Sequence, residues 1–488
     1  MIQGKHKSRR LAFSALVAMV GLGFVVTIQG TTYSQGAAPG GEASNMRLVG
    51  YHDLQGRESL EVHVRSDDAN GSWAYVGHSN NYWGDTEGHM NSITGKVEFN
   101  GTSLINVADP RNPKLVWHIP NQYSANSRHV SVVYDYQGTG RDYLARSSDD
   151  GGENMMFQIF DITSRDTDPS QIKLMSEIRG TPENSCGVGC GGRYIYRAHK
   201  GYWSADSGYY YVSAGEPGFR SALIQIWDLK DPAKPKFVSR LWLPGQKRGE
   251  LGYQGQYAHH PIVDEENNRV YVGYRGAGHA AAFDISNITN PRLVWVVDTS
   301  PPGRGPHTVS PIVYDQVPNF KGDALPRTYA FVTDEAGGSA DSKPCTSGVR
   351  SKAYMFDITD ETHPFPVDTW LVPTGNFCDK GGRFGPHQHA ETRNGRINRF
   401  EDKLAWVAYF NAGVRVVDIS DPYNLKEVGY YIPEENQNSH PMSEGQPTAI
   451  QVNDVDVDHR GLGYATDRVG TGLFILEYTG PKPGATTD

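Results

Sequence analysis

Seventeen histidines are spread over the 488-residue chain, and their spacing carries more than their number. His63, His199 and His259 each stand 13 residues before a valine (Val76, Val212 and Val272) inside a β-rich run, WAYVGH, YYYVSA or RVYVGY. His129 stands 15 residues before Leu144, with Gly138-Thr139-Gly140 inserted between. His307 and His387 hold the same place in two Gly-Pro-His contexts, GRGPHTVSP and GRFGPHQHAE. His389 and Glu391 follow at alternate positions, so H-x-H-x-E is the densest potential ligand run in the chain and is expected on one side of a strand. Imidazole is neutral at pH 7 and ligates copper, iron or zinc. The expected metal set is therefore His63, His129, His199, His259, His307, His387 and His389. Glu216 in SAGEPGF and Asp334 in VTDEAGG are expected as the catalytic carboxylates, because Gly-rich backbone beside them lets the chain approach a ligand closely. His78, Arg146, Arg275, Glu335, Asn411, Asp467 and Arg468 hold comparable loop positions. A plainer account gives each repeat a histidine that hydrogen-bonds its neighbour, and makes the loop charges a solvated surface.

The elements that would carry these groups repeat. An apolar stretch ending in Asn106, Asp161, Asp228, Asp284, Asp357, Asp418 and Glu477 recurs seven times, usually followed by a Pro-containing turn and a further strand. Asp or Asn can bond back to the backbone there, and Pro fixes a turn φ. A short β run precedes each stretch and another lies upstream, which makes about four strands per unit. Seven such units describe an all-β, seven-bladed β-propeller of four-stranded blades. Helical solenoids are disfavoured because no unit shows a 3.6-residue period. First strands line a propeller's central channel, so the in-register histidines are expected at one channel mouth. The last unit lacks an outer strand, and NMRLVGYHDL (45–54) is expected to supply it, closing the ring over residues 46–480.

GVRVVDISDPYNLKEVGYYIP (413–433), IQIWDLKDPAKPKFV (224–238) and GGRFGPHQHAE (381–391) resemble the LVIVD-repeat family of secreted β-propellers. The resemblance spans nearly the whole chain after residue 45. It implies the propeller fold and a histidine at the recurring place, but little about chemistry.

Composition bounds the rest. With 55 Gly, 29 Pro and 11% aromatic residues, the chain is turn-rich and suited to strands. A net charge of −9 leaves no basic footprint for nucleic acid. Residues 1–10 are basic and 11–28 apolar and uncharged, the layout of an export signal (1–30), with Ser8-Arg9-Arg10-Leu11-Ala12-Phe13 similar to a twin-arginine signal. Residues 31–45 are expected as a flexible linker and 481–488 as a tail. A periplasmic or extracellular location follows, with membrane attachment only through an uncleaved signal. Disulfides Cys186–Cys190 and Cys345–Cys378 would suit that compartment.

Two functions are compatible with these residues. One is an exported oxidoreductase with copper, or alternatively iron or zinc, at the channel mouth and a small-molecule substrate. The other is a non-enzymatic binding or scaffold propeller that grips a surface protein or glycan through loop aromatics such as Tyr82, Trp83 and Trp203, with structural histidines.

Overall fold

Each repeat begins its turn with a carboxylate or amide that ties the turn down. The side chains of Asp161, Asp228, Asp284, Asp357 and Asp418 accept the backbone N–H two residues on, at 2.8–3.0 Å, and Asn106 does the same at 3.0 Å. These are Asx turns, which explain why the repeat ends in Asp or Asn. The seventh equivalent, Glu477, instead pairs with Arg47 of the N-terminal strand.

A computed structural model describes residues 38–67, 71–79, 88–121, 126–148, 155–180, 198–252, 257–275, 278–300, 305–318, 320, 322–335, 351–442 and 445–484. Seven antiparallel blades form one propeller. Blade 1 runs through Ser59–Asp67, Gly71–His78, Gly101–Asn106 and Lys114–Pro120; blade 2 through His129–Val133, Tyr143–Ser147, Met155–Asp161 and Lys173–Arg179; blade 3 through Ala198–Trp203, Tyr209–Ala214, Leu223–Asp228 and Lys236–Leu241. Blade 4 uses Tyr257–Asp264, Arg269–Arg275, His279–Asp284 and Arg292–Asp298, and blade 5 uses Pro306–Tyr314, Arg327–Asp334, Ala353–Asp357 and Phe365–Trp370. Blade 6 has Leu404–Ala408, Val414–Asp418 and Lys426–Pro433, with residues 387–390 in the inner place: His387 N–H donates to Ala408 O (2.8 Å), and Ala390 N–H to Trp406 O (2.8 Å). Blade 7 has Val452–Val457, Leu462–Asp467 and Leu473–Tyr478, and Met46–His52 pairs antiparallel with the last of these, as the missing strand required.

Part of the stretch expected to be a flexible linker is a strand. Gly41–Ser44 pairs from Gly41↔Pro433 to Ser44↔Tyr430 and covers the outer edge of blade 6, which would otherwise be bare. The export signal lies outside the described residues. Among the described residues no helix is long and apolar enough to cross a membrane.

Blades stack face to face, so the second and third strands are largely buried on both faces and rich in aromatic and aliphatic side chains. Phe157 of blade 2 sits edge-on to Tyr210 of blade 3 at 5.2 Å, and Tyr136 meets Trp203 at 5.1 Å. Trp203 is thus a core residue between blades 2 and 3. Tyr82 and Trp83 lie outside the described residues.

Some turns admit only glycine. Gly413 has φ +78°, and a Cβ there would meet the Tyr431 carbonyl oxygen at 2.2 Å. Gly413→Ala is expected to cost about 2 kcal/mol or more, the left-handed strain and the backbone clash together. Gly461→Ala (φ +77°, nothing within 4 Å) carries the strain alone, about 1 kcal/mol. Urea midpoints of the two variants separate the contributions.

An insertion in blade 6 crosses the far end of the channel. Thr392–Arg393 and Arg396–Ile397 form a small hairpin in which Arg393 pairs with Val457 of blade 7. Asn394 exchanges hydrogen bonds with the backbone of Ser66 in blade 1, and Arg399 reaches Asp264 of blade 4 at 3.1 Å. Gly395 is required here, since a Cβ would meet the Arg65 side chain at 2.0 Å. The hairpin ties three blades together across the mouth where the first strands end.

Candidate metal centre

The first strands enter the channel through a bulge. Pairing with the second strand slips at Leu60 in blade 1, at His199-Lys200 in blade 3, at His259-His260 in blade 4, at His307 in blade 5 and at Asn453 in blade 7. A bulge inserts an unpaired residue and re-aims side chains. Successive residues thereby form two tiers. The upper tier, nearer the strand starts, holds Arg128, His199, His259, His307, His387 and Asn453. The lower tier holds Glu61, His129, Lys200, His260, Thr308, Gln388 and Asp454, joined by Glu391.

In the upper tier four imidazoles from blades 3 to 6 follow one another. Ring centroids are 4.3 Å apart for His199–His259, 3.9 Å for His259–His307 and 4.5 Å for His307–His387. His199 Nε2 and His259 Nε2 are 2.8 Å apart. Two nitrogens at right angles on an ion about 2.05 Å away would be about 2.9 Å apart. Glu335 closes the group: its Oε2 is 3.8 Å from His259 Nε2 and its Oε1 is 3.9 Å from His387 Nε2. His259, His307 and Glu335 each offer a ligand atom within 4.8 Å of the others.

Hydrogen bonds choose the tautomers. His387 Nδ1 can only donate to the carbonyl oxygen of Asn453. The Thr308 hydroxyl donates to Glu391 Oε1 (3.1 Å), so Thr308 Oγ1 accepts from His307 Nδ1 (2.8 Å). Both rings therefore carry hydrogen on Nδ1 and a bare lone pair on Nε2. Those two Nε2 atoms are buried without a hydrogen-bond partner. Burial first, then neighbouring imidazoles and cations, hold His259, His307 and His387 well below the usual imidazole range, so they stay neutral. For Glu335, burial alone would raise the carboxyl. The guanidinium groups of Arg275, Arg383, Arg468 and Arg128 together outweigh it, and the group is held below its ordinary value. Arg275 and Arg383 contact it directly at 2.9 and 2.8 Å.

The other expected site residues fall elsewhere. His63 is one strand step or more deeper than the upper tier, opposite Tyr75, and its Nε2 is buried without a hydrogen-bond partner. His129 belongs to the lower tier, 3.4 Å from Glu61 Oε1, and Arg128 before it takes the upper place, 3.4 Å from His199 Nε2. His389 leaves the channel: its Nε2 meets Ser310 Oγ at 2.7 Å and its ring packs on Phe331 at 5.1 Å, between blades 5 and 6. The H-x-H-x-E run is accordingly split, since its segment is hydrogen-bonded irregularly and not as a regular strand. Glu216 pairs with Arg240 of the outermost strand of blade 3 through both oxygens, at 2.7 and 2.9 Å, and makes no contact with the histidines among the described residues. Asp334 is buried one residue before Glu335. Burial pushes it up to about 6 against the pull of the Gly305 N–H it accepts at 2.9 Å. It anchors the approach to His307, as Asp467 anchors Gln451 before Asn453 (2.7 Å). His78, Arg146 and Asn411 are tied into blade hydrogen bonds. Each expected disulfide includes a cysteine outside the described residues.

Residues 401–432 form an LVIVD repeat. No curated protein matches the chain. Among solved structures, it is similar to the periplasmic gluconolactonase of Pseudomonas aeruginosa (13% identity, 83% of this chain and 95% of that one, TM-score 0.48). It is similar to a hypothetical selenium-binding protein of Sulfolobus tokodaii (13%, 79% and 89%, 0.48). A third is a 6-phosphogluconolactonase-like protein of Bacteroides uniformis (11%, 88% and 97%, 0.42).

Proposed function

We propose that the protein is an exported, metal-dependent oxidoreductase whose ion, copper or in its place iron, is held by His199, His259, His307 and His387. The observation that carries this reading is the pair of buried Nε2 lone pairs on His307 and His387, whose Nδ1 hydrogens are already committed. A buried acceptor without a donor costs about 1–3 kcal/mol, and an ion would satisfy both at once. Imidazoles fixed through their second nitrogen are the usual arrangement of metal ligands. When bound, copper or iron supplies one-electron chemistry; zinc would occupy the same nitrogens without it.

The chain's own groups have distinct tasks in this reading. Glu335, kept ionised by its arginines, is placed to complete the ligand set or to accept a proton from a molecule beside the ion. Asp334 and Asn453 position the loops that aim His307 and His387. The hairpin at 392–397 leaves the mouth near the strand starts as the route for a small-molecule substrate.

Elemental analysis of protein purified after supply of copper, iron and zinc tests the proposal. At least one equivalent of copper or iron is expected, and protein that folds but carries neither would overturn it, leaving the scaffold alternative. Thr308→Val removes the acceptor that fixes the His307 tautomer while keeping its shape. It is expected to weaken metal binding by about 10–100-fold, read by competition with a chromophoric chelator.

A further inference from the structure

One residue further along each first strand, the lower tier presents a second set of buried ligand atoms. His129, His260 and Glu391 each offer one atom within 4.8 Å of the others. Glu61 adds a carboxylate oxygen 3.4 Å from His129 Nε2, and Glu391 Oε1 is hydrogen-bonded to His260 Nδ1. Asp454 stands beside them, bonded to Gln388 and to the Val62 N–H. These groups line one cavity in the channel together with His63. It has about 20 Å³ of water-accessible space, enough for one water or one ion. Two atoms on its walls, His129 Nδ1 and His63 Nε2, are buried without a hydrogen-bond partner.

The charge balance points the same way. Glu61, Glu391 and Asp454 are all buried, and the one ammonium among them is Lys200, in contact with Glu61 and 4.0 Å from Glu391. Asp456, buried in the wall of the same cavity, brings the carboxylates to four, and one fixed cation leaves a deficit of three positive charges when all are ionised. Buried carboxylates without such compensation are costly. A divalent cation would make up most of the deficit.

We propose that the lower tier is a second cation site, in which Glu61, His129, His260 and Glu391 bind a divalent ion and Lys200 opposes it. Mixed nitrogen and oxygen ligands admit manganese, which carboxylates favour, beside the zinc and iron that imidazole takes. The lower site is independent of the upper one for its ligands. Its neighbour is one peptide away, at His259-His260, so an ion in each would make a two-metal channel. Lys200 makes the site selective: its ammonium repels a bound dication, so the site fills only for ions that bind strongly to imidazole and carboxylate together.

Titration of the metal-stripped, full-length protein with Zn2+ tests the proposal, by calorimetry and elemental analysis. Wild type is expected to take up two equivalents. His307→Ala/His387→Ala is expected to keep one, the lower, and His129→Gln/Glu391→Gln to keep one, the upper. Lys200→Met removes the like charge and is expected to tighten the lower site by about tenfold or more; a lysine with a merely structural role would alter the melting temperature and not the affinity. The proposal is overturned if folded His307→Ala/His387→Ala binds no Zn2+, or if folded Lys200→Met leaves the lower affinity unchanged. Should Lys200→Met not fold, the nearly isosteric Glu391→Gln decides alone: weakening of the lower site by about tenfold or more supports the site, and an unchanged isotherm rejects it. A failure of the upper site would appear differently, as one equivalent lost by His129→Gln/Glu391→Gln with none remaining.

Discussion

His387→Ala is expected to lose copper or iron, while His389→Ala, two residues on, keeps it. The two side chains have the same chemistry and similar burial, and differ in what their nitrogens face. His387 spends Nδ1 on the Asn453 carbonyl and points a bare Nε2 toward Glu335, 3.9 Å from its carboxylate. Removing one of four ligands that way should weaken binding by at least about 100-fold, more than losing a hydrogen bond to a ligand typically does. Because the Nε2 has no hydrogen bond to lose, the cost to the fold is confined to the single Nδ1 bond and the cavity. His389 spends Nε2 on Ser310 and packs between Phe331 and Phe400. Its removal leaves the Ser310 hydroxyl without that partner and opens a space between blades 5 and 6, at about 2–4 kcal/mol. The expected result is a crossed pair: metal content falls in one variant and the urea midpoint falls chiefly in the other. If both variants keep the metal, the upper tier is not the site. If both lose it while folded, His389 acts through the geometry of the segment it anchors.

The fold was legible because its signals are local. An Asp that caps its own turn and a chain that lacks a last strand are both visible without coordinates, and the Asx bonds of Asp228 or Asp418 and the pairing of Met46–His52 are those signals made physical. The site was legible by blade but not by depth. Counting back from the second strand assumes hairpins of equal length, and blade 1's is three residues longer: Val76 pairs with Val62, whereas Val212 pairs with Gly201 and Val272 with Pro261. His63 therefore shares a count with His199 and His259 yet lies deeper, while Glu61 holds the corresponding lower place. The residues that alternate between tiers were written as neighbours in the chain: Arg128-His129, His199-Lys200, His259-His260, His307-Thr308, His387-Gln388 and Asn453-Asp454. Reading these as pairs would have separated the two tiers. Glu335 over Asp334 was not decidable in that way, because which of two adjacent carboxylates enters the channel depends on where the second strand ends. Glu216 failed for another reason: Arg240, its partner, is a strand-pair neighbour only once blade 3 is assembled.

Acidification below about pH 6.5 is expected to unfold the protein within about one to three pH units. His63 and His389 are lowered to about 3, burial being the main cause in each. His78, His118, His129, His259, His260, His307 and His387 are lowered as well, again chiefly by burial. Above the unfolded imidazole value of about 6.5 neither state binds a proton and the fold is undiminished. Below it the unfolded chain takes up protons that the folded interior refuses, so stability falls as pH falls toward 3, by at most about 1.4 kcal/mol per pH unit for each group. Buried carboxyls act in the opposite sense. Asp334 and Asp454 are raised to about 6, and Glu61, Asp456 and Asp467 are raised too, so between their unfolded values and their folded ones the native state holds the extra proton. His52 and His279 are lowered too, and Asp166 and Glu427 raised, so eleven imidazoles against seven carboxyls leave a net destabilisation of up to about 5 kcal/mol per pH unit between roughly pH 6 and 4. A typical stability of about 5–15 kcal/mol is consumed within one to three units. Metal in the channel steepens the loss, since protons and ions compete for the same nitrogens. Urea midpoints measured from pH 7.5 to 5 should hold down to about pH 6.5 and fall below it, and His63→Gln/His389→Gln should flatten the falling part by up to about 3 kcal/mol per unit. A midpoint that does not move between pH 7 and 5 would mean that the buried imidazoles take up protons as readily in the folded channel as in the unfolded chain, and the neutral lone pairs on which the metal centre depends would go with them.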